Sequence, residues 1–136
     1  VGSEMCIRDS ILDLPMGYVR SGHKDHGRQN QIEGKMEPGT KVVVIEDLIS
    51  TGGSVLEVVD VLRQAGAEVL GIASIFTYGL QKGVERLAAA DVVNYSLSDF
   101  DTLSKVAAAE GYIADKDIAK LTAFQKNPQD PAWMEL

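Results

Sequence analysis

The sequence predicts an α/β fold, with a parallel sheet flanked by helices. The first sign is Lys41 to Glu46 (KVVVIE), a continuous β-branched run of the kind found in strands buried on both faces of a parallel sheet. The second is alternation. Short apolar runs and amphipathic stretches follow one another along the chain, which implies right-handed βαβ units. The third is ordinary globular composition, 45 % hydrophobic and 24 % charged over 136 residues, enough chain for one domain with a core.

The elements follow in order. Residues 1–10 (VGSEMCIRDS) have neither the basic start nor the apolar stretch of a signal peptide. They resemble translated adaptor sequence and are expected to be a non-native leader, so residues 11–126 form the domain and residues 127–136 a tail. Ile11 to Arg20 reads as a strand ending at a loop. Ser21 to Gly39 is polar and glycine-rich with neither helical nor strand period, a length that is usually functional or disordered. Pro38-Gly39 marks a turn before KVVVIE. A helix opens at Gly52-Gly53-Ser54, carries the stripe Val55, Leu56, Val58, Val59, Leu62 and Ala65, and stops at Gly66. Val69 to Phe76 reads as a second buried strand, Gly83 to Ala90 as a helix and Asp91 to Leu97 as a third strand. Ser98 is placed as the N-cap of the next helix, with Asp101 completing a capping box, and that helix ends near Gly111. Asp115 is placed as the cap of a last helix running to about Lys126, before Asn127-Pro128.

Composition excludes several functions. No apolar run approaches the length of a membrane span. The lone cysteine, Cys6, supports neither an internal disulfide framework nor a metal cluster, which fits a reducing, cytoplasmic setting. A formal net charge of −7 argues against a nucleic-acid or anionic-membrane surface. Against that background, residues 20–35 form a basic island: Arg20, Lys24, Arg28 and Lys35 outweigh Asp25 and Glu33, and both His23 and His26 lie there. Such an island suits a small polyanion, and suits a solvated loop equally well.

Ligands of parallel α/β sheets bind beyond the carboxyl ends of the strands, which directs attention to VVVIEDLISTGGS, residues 42–54. Two carboxylates, Glu46 and Asp47, end the strand, and a short hydroxyl- and glycine-rich loop opens a helix. Backbone N–H groups at that helix start point outward with the positive end of the dipole, so they bind phosphate. Gly52 and Gly53 allow close approach, and Ser50, Thr51 and Ser54 add donors. The carboxylates suit sugar hydroxyls and positive charge developing on a ribose carbon. Neither GxxxxGK[ST] nor GxGxxG is present. The competing reading is a surface turn with two strand-capping acids.

This stretch resembles the phosphoribosyl pyrophosphate motif of type I phosphoribosyltransferases. YVRSGHKDHGRQNQIEG, residues 18–34, resembles the mobile catalytic loop of the orotate phosphoribosyltransferases, where an arginine ends a strand and K-[DE]-H-G follows. The resemblance runs from Pro15 to about Lys126 and implies an incomplete type I phosphoribosyltransferase fold. It implies transfer of phosphoribose from phosphoribosyl pyrophosphate to orotate. Arg20, Lys24 and His26 match the catalytic, pyrophosphate-contacting positions; Glu46 and Asp47 would serve the ribose, and Leu48, Ile49, Ser50, Thr51, Gly52, Gly53 and Ser54 the 5′-phosphate. Ser50 is the one orotate contact carried over. Mg²⁺ is implied, bound mainly through the donor, as is a homodimer of the complete protein; no residue is assigned as a metal ligand. The chain departs from the family at Ser21, where a second basic residue often stands, and at Thr77-Tyr78-Gly79, where many members carry an arginine for the orotate carboxylate. So few residues precede Arg20 that the chain alone is expected to be inactive. A purine-type transferase is the first alternative, opposed by the K-D-H-G segment, and a non-catalytic sensor of the donor is the second. His23 reads as a solvated loop residue, and Trp133 and Met134 as tail residues that pack on the body or stay disordered.

Overall fold

The computed structural model describes residues 11, 13–20 and 31–135. The leader, Lys24, His26 and His23 therefore lie outside the described residues. Three strands form a parallel sheet in the order β3-β4-β5: β3 (Lys41–Ile49), β4 (Glu68–Thr77) and β5 (Asn94–Asp99). Helix α1 (Gly53–Gln64) joins β3 to β4, α2 (Gln81–Ala89) joins β4 to β5, and α3 (Phe100–Ala109) follows β5. Helix α4 (Asp117–Lys126) and a 3₁₀ turn (Pro131–Glu135) end the chain. The expected α/β class with a parallel sheet is what forms.

The core lies between the sheet and α1. Val44 and Ile72 meet Val55, Val59 and Leu62 of the helix, with Ile49, Ala67 and Val92 completing the cluster. The helix buries these positions because they recur on one stripe of a 3.6-residue period. It ends as expected: Gly66 takes φ 89° and its N–H donates to the Arg63 carbonyl at 3.0 Å. That glycine also lets two turns meet, since a Cβ there would lie 3.1 Å from Pro38 Cβ, and Gly39 N–H donates to the Gly66 carbonyl.

Several expectations need correction. KVVVIE has the composition of a strand covered on both faces, yet among the described residues one face is open. Val43, Ile45, Ile75, Val93, Tyr95 and Leu97 are exposed there. The strand also continues through Asp47, Leu48 and Ile49, because β4 offers partners to the end: Leu48 pairs with Phe76 and Ile49 with Thr77. The Ile11–Arg20 strand shortens to β1 (Tyr18–Val19), and the supposedly structureless stretch after it contains β2 (Ile32–Glu33). The two pair antiparallel, Tyr18 with Glu33 and Val19 with Ile32, and Val19 and Ile32 pack against the core. Hydrophobic contact outweighs the missing strand period.

The third strand starts later than expected because residues 91–93 complete a turn: Asp91 takes φ 49°, and Val92 N–H donates to the Leu87 carbonyl. The next cap shifts with it. Asp99, not Ser98, caps α3, accepting the Thr102 N–H at 2.7 Å. Asp115 does not cap α4; Lys116 precedes the helix, and Asp117 Oδ2 accepts the Ala114 N–H at 3.0 Å. At the chain end, Trp133 packs edge-on against Phe124 and donates its indole N–H to the Pro128 carbonyl. Of its two expected fates, Trp133 takes packing on the body.

Candidate anion-binding site at the β3–α1 turn

The site grows from the end of β3. Side chains alternate across a strand, so Glu46 and Asp47 leave the sheet on opposite sides. Glu46 shares its row with Ser74 and Ser96 on the helix-covered side and is half-buried, whereas Asp47 is exposed. Glu46 Oε1 accepts the Asp47 backbone N–H at 3.1 Å, and the Asp47 side chain also interacts with the Glu46 carboxyl. Burial, then the Asp47 side chain, raise the Glu46 carboxyl above its ordinary value, and the Asp47 N–H only partly opposes them. This pair can accept hydroxyl donors or face a cationic centre. Beside it, Ser74 is buried with its hydroxyl satisfied by Asn94 Oδ1 and Ser96 Oγ.

The loop itself is shorter than expected. With β3 ending at Ile49, only Ser50, Thr51 and Gly52 separate strand from helix. Ser50 Oγ accepts the Thr51 N–H at 2.6 Å, so the Thr51 amide, expected to point at a ligand, is satisfied internally. Gly52 caps α1 with φ 74°, a left-handed conformation that glycine adopts without a Cβ penalty. No side chain caps the helix. The N–H groups of Gly52, Gly53, Ser54 and Val55 have no acceptor among the described residues. A run of open amides at the positive end of a helix dipole, approached over two glycines, is suited to a phosphate. The cradle was expected at residues 51–54; the open amides are those of residues 52–55.

Arg20 stands apart, at the mouth of the hairpin. Its N–H donates to the Gln31 carbonyl at 2.8 Å and its guanidinium pairs with Glu33 across the strands. Lys35 pairs loosely with Glu37. Where the family often places an arginine, Tyr78 instead ties two elements, donating its N–H to the Ile49 carbonyl and accepting Gln125 Nε2 at 2.9 Å. Two residues had no place in the site as read from the sequence: Gly83 and Arg86 of α2, which touch the loop from the side. A Cβ on Gly83 would lie 2.5 Å from the Ser50 carbonyl oxygen, and Arg86 Nη1 donates to the Thr51 carbonyl at 3.2 Å. In the sequence they were only part of a short helix.

Among the described residues, no group of three or more metal-binding side chains gathers, and no helix is long and apolar enough to cross a membrane.

Known proteins match this chain in sequence and fold. Residues 9–106 match the phosphoribosyl transferase domain family. The orotate phosphoribosyltransferases of Bacillus cytotoxicus and Bacillus cereus (strain B4264) are each 59 % identical over 123 residues, 90 % of this chain. The chain spans 59 % of the length of those relatives. Among solved structures, orotate phosphoribosyltransferase from Aeropyrum pernix superposes with a TM-score of 0.66 at 30 % identity, over 80 % of this chain and 59 % of that one. The orotate phosphoribosyltransferase of Mycobacterium tuberculosis in complex with 5-phospho-alpha-D-ribosyl 1-diphosphate gives 0.54 at 26 % identity, over 64 % of this chain and 48 % of that one.

Proposed function

This chain belongs to the phosphoribosyl transferase domain family, and from that premise we propose that it carries the donor-binding part of an orotate phosphoribosyltransferase. The reaction is transfer of phosphoribose from phosphoribosyl pyrophosphate to a ring nitrogen of orotate, with release of pyrophosphate, in pyrimidine nucleotide synthesis. The observation that carries the reading is the run of open amides at Gly52–Val55 directly beyond the Glu46-Asp47 pair. The amides hold the 5′-phosphate, and Glu46 and Asp47 serve the ribose hydroxyls. Ser50, at the start of the same turn, is the candidate contact to orotate. Arg20, Lys24 and His26 serve the pyrophosphate, whose charge grows as the C1–O bond breaks.

The residues present fit Mg²⁺ held largely through donor oxygens: two adjacent carboxylates are available, and this cation keeps few protein ligands at phosphate sites. When bound it would neutralise charge on the departing pyrophosphate. The same reading includes a cytoplasmic homodimer for the complete protein, supported by the family resemblance.

Calorimetric titration of the 136-residue chain with phosphoribosyl pyrophosphate and Mg²⁺ tests the donor site. Binding should appear and should vanish in Gly52→Val, where φ 74° would strain a β-branched residue. Absence of binding, or equal binding by both proteins, would remove the assignment. Orotate followed by absorbance should stay unconsumed by this chain alone, because the longer relatives supply parts that it does not match; turnover near that of a full-length relative would contradict that. In the full-length parent, Lys24→Ala should lower kcat strongly and orotate binding modestly.

A further inference from the structure

Helix α2 meets the β3–α1 turn more closely than packing alone requires. Gly83 lies in its first turn and is buried against the Ser50–Thr51 peptide. A side chain there would place Cβ 2.5 Å from the Ser50 carbonyl oxygen, 3.5 Å from the Thr51 carbonyl carbon and 3.6 Å from that of Ser50. Backbone therefore touches backbone, with no flexible group between them to give way. One turn further on, Arg86 projects along the same loop. Its Nη1 donates to the Thr51 carbonyl at 3.2 Å and lies 3.6 Å from where a Cβ on Gly53 would stand. The side chain is exposed at the site's edge, and among the described residues no carboxylate lies within 4.0 Å to neutralise it.

The peptide joining Thr51 to Gly52 is planar and trans, so its C=O and N–H point in opposite directions. Holding the Thr51 carbonyl on one side aims the Gly52 N–H to the other, into the run of open amides. Among the described residues Thr51 has no second anchor of this kind: its own N–H is taken by Ser50 Oγ, and the helix cap has no side-chain acceptor. Glycine at position 52 makes that plane easy to turn, which is the situation in which an external hydrogen bond decides the orientation.

We infer that α2 is part of the anion site: Gly83 seats the Ser50–Thr51 peptide, and Arg86 is a positioning residue that orients the Thr51–Gly52 peptide and brings a positive charge beside the bound phosphate. The inference rests on the donor-site reading for its ligand, but the orientation it assigns to the loop does not need one. A guanidinium suits both tasks, since one N–H can hold the carbonyl while others face the anion.

The test separates the two. In the ligand-free chain, Arg86→Gln and Arg86→Lys are compared with the parent by amide NMR. Shifts of Thr51, Gly52 and Gly53 should move in Arg86→Gln, while those of Val59 and Ile72 in the core stay in place. Unmoved loop amides would overturn the inference whatever the ligand. Calorimetry then measures ribose 5-phosphate, the probe that reads the phosphate site alone. Arg86→Gln should weaken it about tenfold, with Arg86→Lys recovering part of the loss because charge is kept and fork geometry is not. Gly83→Ala should weaken binding at least as much while keeping the helical circular dichroism. If the parent binds and Arg86→Gln binds equally, Arg86 has no such role. If the parent itself does not bind while the loop shifts still move, the donor-site reading fails and the positioning role stands.

Discussion

The two faces of the β3-β4-β5 sheet are made from similar residues and meet opposite fates. On one, Ile72 is 1 % exposed beneath α1; on the other, Ile45 is 44 % and Leu97 87 % exposed. The row Val44–Ile72–Asn94 belongs to the covered face and Ile45–Ala73–Tyr95 to the open one. Alternation along each strand creates both faces equally, so apolar character alone does not say which is buried. What distinguishes them is whether a helix lies across them. An apolar face of this kind, left uncovered, is a surface on which other protein packs or chains associate.

The largest contrast should come from truncating one residue on each face. Ile72→Ala removes packing against Val55 and Val59 and should cost about 2–5 kcal/mol in urea unfolding. Ile45→Ala should cost less, about 1 kcal/mol, since nearly half of its surface already meets water. Equal losses would mean that the open face is covered in solution. A second, intermediate effect addresses that point directly. Leu97→Lys combined with Ile75→Lys should leave the unfolding midpoint nearly unchanged, yet reduce concentration-dependent association in sedimentation velocity. Unaltered association would show that this face is not the adhesive one.

The smallest effects lie at the carboxyl edge, where two carboxylates titrate in opposite directions. Glu46, on the covered side, has its carboxyl raised by burial and by Asp47. Its folded state binds a proton more tightly than the unfolded chain. The ionised form therefore costs stability at neutral pH, and the cost is relieved as pH falls through the raised value. Asp99, the cap of α3, is held below its ordinary value by the Thr102 N–H and hydroxyl, and its contribution has the opposite sign. It is present above the ordinary carboxylate range and lost as pH falls through the lowered value. Thermal unfolding from pH 7 down to pH 3 should thus show a shallower acid loss in Asp99→Asn. Glu46→Gln should be no less stable than the parent at pH 7, while weakening donor binding. A Glu46→Gln protein that unfolds much earlier at pH 7 would mean that its carboxylate is structural.

Much of this molecule was legible in its residues because the signals are local. The β-branched run at Val42–Ile45 specifies a strand, the stripe from Val55 to Leu62 specifies a helix, and Gly66 ends that helix through its own backbone freedom. Glu46-Asp47 and the STGGS that comes after Leu48-Ile49 likewise mark the candidate anion turn, since strand end, glycines and helix start all lie within one short stretch. Tertiary contacts decided the rest. Partners on β4 drew β3 on to Ile49, and core packing turned Ile32–Glu33 into a strand with no period to announce it. A turn at Asp91 moved the cap from Ser98 to Asp99. Which sheet face α1 covers, and that Gly83 and Arg86 of a distant helix bear on the turn at Thr51, depend on elements far apart in sequence. Short-range conformational preference is written residue by residue, but burial and long-range hydrogen bonds exist only once the strands and helices have met.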